Sequence, residues 1–172
     1  MQTGRNTMDI VDEIMSDWTH QRPDIDCSGK VVVCRILRNF SHVIAALEKS
    51  LKPLGITPNI FSVLVTIRRK GSQAEVSVKN IMEEVLVTSG AMSNLINRLI
   101  ELDFITKRKG IEEEDARSAF IKLTPKGLGL IDKAMEIQAA CERKLTQTLS
   151  DAEKLQLAEL LRKMLPEDQS YV

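Results

Sequence analysis

Four side chains of one predicted helix, Ser93, Asn94, Asn97 and Arg98, carry hydroxyl, amide and guanidinium groups. These are the groups that donate to and accept from base edges in a DNA major groove. They lie opposite an apolar stripe at helical spacing: Met92, Leu95, Ile96, Leu99 and Leu102. Thr88 and Ser89 stand where this helix must start, so a short hydroxyl there can cap it and reach a phosphate. The run ITKRK follows, with Lys107 and Lys109 as phosphate candidates. Alternate strand positions face opposite sides, so at most two of Lys107, Arg108 and Lys109 can serve one phosphate surface. After an acidic turn comes DARSAFIKLTPKG, with Asp115 and Arg117 near the tip of a predicted β-hairpin. Glu112, Glu113, Glu114 and Asp115 would repel phosphates. Either they stay on the outer side of the hairpin, or the hairpin meets DNA only through Arg117.

The elements that must position these groups can be read from periodicity and caps. Ile10, Val11, Ile14, Met15 and Trp18 form one stripe of a short helix over 9–20, broken at Pro23. A long helix over 28–51 carries Val32, Val33, Ile36, Phe40, Val43, Ile44, Leu47 and Leu51, and Pro53 and Gly55 end it. Thr57 and Pro58 open the next helix, which buries Ile60, Phe61, Leu64, Val65 and Ile67 through about Arg69. KGSQAE reads as a loop. Ser77 caps a short helix over 78–84, and a tight turn joins it to the polar-faced helix, which makes a helix-turn-helix. Residues 105–109 and 118–123 are the hairpin strands. Thr124 caps a helix to about residue 148, with Leu128, Ile131, Met135 and Ile137 among its apolar residues. Ser150 and Asp151 open a last helix that buries Leu155, Leu161 and Leu165.

The expected fold is mainly α with a small β-wing: a winged helix-turn-helix flanked by N- and C-terminal dimerisation helices. The expected organisation is an N-terminal extension with an extra helix (1–27), dimerisation helices (28–52 and 125–168) and a winged helix-turn-helix (53–124). The long terminal helices hold more apolar surface than one small winged unit can cover. That predicts a homodimer presenting two polar-faced helices to a pseudo-palindromic site on double-stranded DNA.

The chain has 172 residues, enough for one domain with a real core. Net charge is zero, with 24 basic and 24 acidic residues, which counts mildly against nucleic acid, although a phosphate-facing surface is local. Three cysteines without a signal peptide build no disulfide framework, and no apolar run is long enough to span a membrane, so the expected compartment is the cytoplasm. Cys34 and Cys141 read as small buried apolar residues, with a redox switch as the sharper alternative, and Cys27 as exposed. Two histidines, His20 and His42, make no metal site. No phosphate-cradling loop, nucleophile elbow or dinucleotide fingerprint is present, so neither catalysis nor a cofactor is expected. Trp18 reads as a packing residue or as a plate for a small flat ligand.

SGAMSNLINRLIELDFI, followed by the Asp115–Arg117 pair and Leu123-Thr124 with Gly127, resembles the MarR family of transcriptional regulators over about residues 30–165. The resemblance implies that Arg117 enters the minor groove and that Asp115 orients it. The N-terminal DIVDEIMSDWTHQRPDID is similar to the PecS-like branch, several members of which respond to urate. By that resemblance the ligand site falls on Trp18, Ser62, Leu95 and Lys107, where the branch has Trp, Asp and two Arg. Losing the Asp and one Arg removes much of the polar recognition of an anionic purine. The implied function is a ligand-responsive repressor with a small aromatic or phenolic effector. The competing expectation is a dimeric helical interaction protein of the same fold that has lost specific DNA binding.

Overall fold

Asp9 starts the first helix, α1 (Ile10–Gln21). Its carboxylate accepts from the amides of Val11 at 2.8 Å and Asp12 at 3.1 Å, and its own amide donates to the Asp12 carboxylate at 2.8 Å. This reciprocal box satisfies amides that a helix start leaves bare. The second helix, α2 (Lys30–Leu51), supplies Arg35, whose Nη2 lies 2.9 Å from Asp9 and 2.8 Å from Asp12. The Asp9 amide first, and then the Arg35 guanidinium, hold the Asp12 carboxyl below the usual carboxylate range. The Lys30 ammonium sits 5.6 Å from the Trp18 ring centroid.

The computed structural model describes residues 8–85, 89–110 and 118–165. The chain divides into two units, residues 1–46 and 47–172, with α2 running from the first into the second. In the first unit α2 leaves Val31, Val32, Val33, Leu37 and Phe40 exposed.

The second unit holds the main core. A 3-10 turn, Lys52–Leu54, ends α2, and Gly55 takes the left-handed conformation there (φ 69°). Thr57 caps α3 (Pro58–Arg68), its hydroxyl accepting from the Ile60 amide at 3.3 Å. Strand β1 (Glu75–Ser77) leads directly into α4 (Val78–Glu84), where the Ser77 hydroxyl accepts from the Asn80 amide at 3.1 Å. Then come α5 (Ser89–Glu101), β2 (Ile105–Lys109), β3 (Ala119–Leu123), α6 (Pro125–Leu145) and α7 (Asp151–Lys163). The three strands form an antiparallel sheet in the order β1-β3-β2. Leu64 and Ile67 of α3, Ile81 of α4, Met92 and Leu99 of α5, Ile121 of β3 and Ile131 of α6 meet in one buried cluster.

Several expectations are corrected. The predicted loop at 70–75 ends in a strand, because Glu75–Ser77 pairs with Phe120–Lys122 and completes the sheet. A three-residue strand is too short for alternation to reveal it. Helix α6 stops at Leu145, short of residue 148. Leu155, Leu161 and Leu165 are not buried: they are 74%, 42% and 49% exposed. The physical reason is that α7 makes no extensive contact with another described element, so nothing within its unit covers its apolar face. Met135 of α6 is likewise exposed. Cys27, Cys34 and Cys141 are all half-buried, since each lies on a turn or on a helix surface with exposed neighbours. Among the described residues no helix is long and apolar enough to cross a membrane.

Candidate nucleic-acid interface

Helix α5 separates two chemistries by its turn. Met92, Ile96 and Leu99 are buried in the core, while Leu95 and Leu102 are half-buried at its margin. Ser93, Asn94, Asn97 and Arg98 are exposed on the opposite side. Its hydroxyl, two amides and guanidinium are the groups that can pair with base edges in a major groove. Arg98 Nη1 lies 3.2 Å from the Glu101 carboxylate one turn on. Both groups are well exposed, so this i,i+3 pair is weak and leaves Arg98 free to exchange partners.

The end of α5 is held by the start of α6. Asp103 takes a left-handed conformation (φ 59°), which turns the chain into β2. The Thr124 amide donates to the Phe104 carbonyl at 3.1 Å, and the Thr124 hydroxyl donates to the Asp103 carbonyl at 2.7 Å. The same hydroxyl accepts from the Gly127 amide at 3.0 Å. Lys126 Nζ reaches the Leu102 carbonyl at 2.8 Å. The terminal α5 carbonyls of Arg98, Leu99 and Ile100 accept from the amides of Leu102, Phe104 and Asp103, and the α6 cap in turn occupies the carbonyls of Leu102, Asp103 and Phe104. This clasp fixes the direction of α5 relative to α6.

Beside α5 lies the wing. Ile105 pairs with Leu123, Lys107 with Ile121 and Lys109 with Ala119. By alternation Lys107 and Lys109 share the face of the buried Ile105, farther along the strand, and both are exposed. Arg108 is on the other face. Its Nε donates to the Glu75 carboxylate at 2.8 Å, and its guanidinium carbon lies 4.7 Å from the Phe120 ring centroid. Two of the three cations therefore share one surface and the third does not. Ser89 opens α5. Thr88, Asp115 and Arg117 lie outside the described residues, as does the acidic run at 112–114.

Ser62 lies elsewhere. It lines a cleft of about 390 Å³ with Asn59, Val65, Thr66, Arg69, Glu84 and Val85. Asn59, Ser62, Thr66 and Arg69 recur at helical spacing from α3 into its C-cap, a polar stripe that apolar periodicity does not reveal. Thr66 is 5% exposed. Arg69 pairs with Glu84, and Lys70 lies 3.2 Å from the same carboxylate. Leu95 and Lys107 are not among the lining residues. Trp18 belongs to the N-terminal unit and is 42% exposed.

A short helix-turn-helix whose second helix shows a polar face, flanked by a sheet with a basic edge, defines a winged-helix DNA-binding protein. Residues 57–127 match the family described as a winged helix DNA-binding domain. The HTH-type transcriptional regulator PecS of Dickeya dadantii is 28% identical over 151 residues, covering 88% of this chain and 90% of that protein. The multiple antibiotic resistance protein MarR of Salmonella typhimurium is 31% identical over 121 residues, covering 70% of this chain and 81% of that protein. The chain belongs to the MarR family of transcriptional regulators, DNA-binding proteins and not enzymes. The fold agrees with a cysteine-to-serine mutant of MarR from E. coli solved with operator DNA, at TM-score 0.70 and 23% identity over 87% of this chain and 98% of that one.

Proposed function

We propose that this regulator is a homodimeric repressor whose α5 reads bases and whose wing holds the backbone. The observation that carries the reading is the exposed row Ser93, Asn94, Asn97 and Arg98 beside the paired Lys107 and Lys109. Asparagine suits adenine and arginine suits guanine, each through two bonds in the major groove. Lys107 and Lys109 meet phosphate, with Thr88 and Ser89 at the start of α5. Arg117 enters the minor groove, oriented by Asp115. The dimer forms through residues 28–52 and 125–168, and the operator is a pseudo-palindrome with half-sites about one helical turn apart. The winged helix-turn-helix at 53–124 then acts as the reading unit, with 1–27 as an added extension.

The two kinds of contact separate experimentally. Asn97→Ala is expected to cost about tenfold or more on the cognate duplex, with little change on unrelated DNA. Lys109→Ala is expected to weaken both equally and to reduce the salt slope by about one. Fluorescence anisotropy on both duplexes over a salt series measures this. Equal losses on both duplexes for Asn97→Ala would remove α5 from base reading.

Ligand response fits the Ser62 cleft. Its wall offers an amide, two hydroxyls and an Arg69 guanidinium paired with the Glu84 carboxylate, beside Val65 and Val85, a mixture that suits a small aromatic or phenolic molecule. Glu84 and Val85 of that wall end α4, four residues before α5 begins at Ser89, so a ligand there acts close to the reading helix. A ligand releases DNA only by binding the non-binding arrangement more tightly. Ser62 and Leu95 stand where the urate-responsive branch has Asp and Arg, which disfavours urate. Trp18 is the further contact that the resemblance to that branch implies. A hydroxybenzoate is expected to release DNA from the native chain at concentrations where urate does not. Ser62→Phe should abolish that release with DNA affinity unchanged. Release by hydroxybenzoate that survives Ser62→Phe would move the effector elsewhere.

A further inference from the structure

Arg108 is the one cation of ITKRK that strand alternation turns away from the face carrying Lys107 and Lys109. Its side chain starts on the edge strand β2, crosses the central strand β3 over the Phe120 ring, and ends on Glu75 of the opposite edge strand β1. Together the Arg108 and Glu75 side chains bridge two strand spacings, about 9.5 Å. Arg108 also donates from Nη1 to the Lys109 carbonyl at 3.1 Å, next to a lysine of the other face. Strand β1 ends at Ser77, whose hydroxyl caps α4. One guanidinium thus ties the wing strand that bears the lysines to the strand that starts the first helix of the helix-turn-helix.

We propose that Arg108 and Glu75 are positioning residues for DNA binding: a strap across the outer face of the sheet that holds Lys107 and Lys109 in register with α5. Arg108 acts through geometry and not through a phosphate. The inference rests on the wing lysines meeting phosphate, as proposed above. Its energy sources are a guanidinium stacked on an aromatic ring and a partly exposed ion pair, each modest alone. What they stabilise is one arrangement of a narrow, three-stranded sheet, whose isolated hairpin would be marginal.

Charge alone predicts the opposite sign at Glu75. Removing an acid from a DNA-binding unit should tighten binding through the long-range field. The strap predicts that Glu75→Gln weakens it. The test uses the full chain and a labelled mixed-sequence duplex of about 30 base pairs, long enough for two half-sites. Affinity is measured over a salt series for the native chain, Arg108→Ala, Glu75→Gln, the double variant of these two, and Lys107→Ala alone and with Arg108→Ala, with melting temperature as the control. Arg108→Ala should lose about tenfold in affinity, and Glu75→Gln, which keeps the stack on Phe120, about two- to fivefold. The double variant should lose no more than Arg108→Ala alone. Lys107→Ala should lower the salt slope by about 0.9, and Arg108→Ala, which acts only by misplacing the lysines, should lower it no further when added to Lys107→Ala. Tighter binding by Glu75→Gln would overturn the strap. So would losses that add in the double variant, which would make Arg108 a phosphate contact independent of Glu75. A native slope retained by Lys107→Ala fails the wing-phosphate reading instead, and the sign at Glu75 still reports on the strap. Glu75 is exposed at the sheet edge, so its variant leaves the core intact.

Discussion

Gly127→Ala is expected to destabilise the chain by about 3 kcal/mol or more, at the upper end of overpacking costs. A Cβ at this position would stand 2.0 Å from the Phe104 carbonyl oxygen and 2.8 Å from its carbon. Backbone must therefore move, and that backbone holds the two bonds from Thr124 to Phe104 and Asp103. For a chain of this size the melting temperature should fall by roughly 6–12 °C. Helix propensity alone predicts the reverse, since alanine is the better helix former by about 1 kcal/mol. Gly129, two residues on, supplies the contrast. A Cβ there meets nothing within 4 Å, so Gly129→Ala should stabilise by up to about 1 kcal/mol. Urea unfolding of both variants checks this. A Gly127→Ala midpoint equal to the native one would mean that α6 does not hold α5 through this contact.

Leu157→Glu with Leu161→Glu is expected to convert a dimer to monomers and to cut operator affinity by at least about a hundredfold. The two leucines sit one turn apart on α7 and are 45% and 42% exposed in the single chain. With Leu160, Met164 and Leu165 they leave an apolar surface too continuous for water. Two carboxylates buried at an interface without partners are costly, so a dimer through α7 cannot survive them. Losing the dimer removes the second half-site as an intramolecular event, which carries about two to four orders of magnitude. Sedimentation and anisotropy on one preparation measure both effects. If the variant also loses helicity, the dimer is obligate for folding, the stronger form of the same account. A native chain that is monomeric, or a variant that still dimerises, would contradict it.

How much of this was legible in the sequence depended on the type of signal. Thr57, Ser77, Thr124 and Ser150 each cap the helix predicted to follow them, because a hydroxyl before an apolar run marks a local event. The buried stripe Met92, Ile96 and Leu99 was readable for the same reason, since 3.6-residue spacing needs no knowledge of the rest of the chain. The shared face of Lys107 and Lys109 followed from alternation alone. What was not legible depends on long-range pairing. Strand β1 exists only because Phe120–Lys122, over forty residues on, supplies its partner. The Arg108–Glu75 pair spans 33 residues, and neither end announces the other. The polar stripe of α3 becomes a cleft only because Glu84 and Val85 face it. Leu155, Leu161 and Leu165 are exposed although their spacing predicts core, because periodicity identifies an apolar face without saying what covers it.

The most direct test of the central claim, that the chain reads DNA as a two-fold dimer through α5, is selection from a pool of randomised duplexes by the purified full chain. The account predicts enrichment of a two-fold-symmetric sequence with half-site centres about 10 base pairs apart. It also predicts binding tighter than to unselected DNA by on the order of a thousandfold. Duplexes retained at low salt with no sequence enriched would contradict it, and would leave a chain that keeps the family's fold and has stopped reading bases.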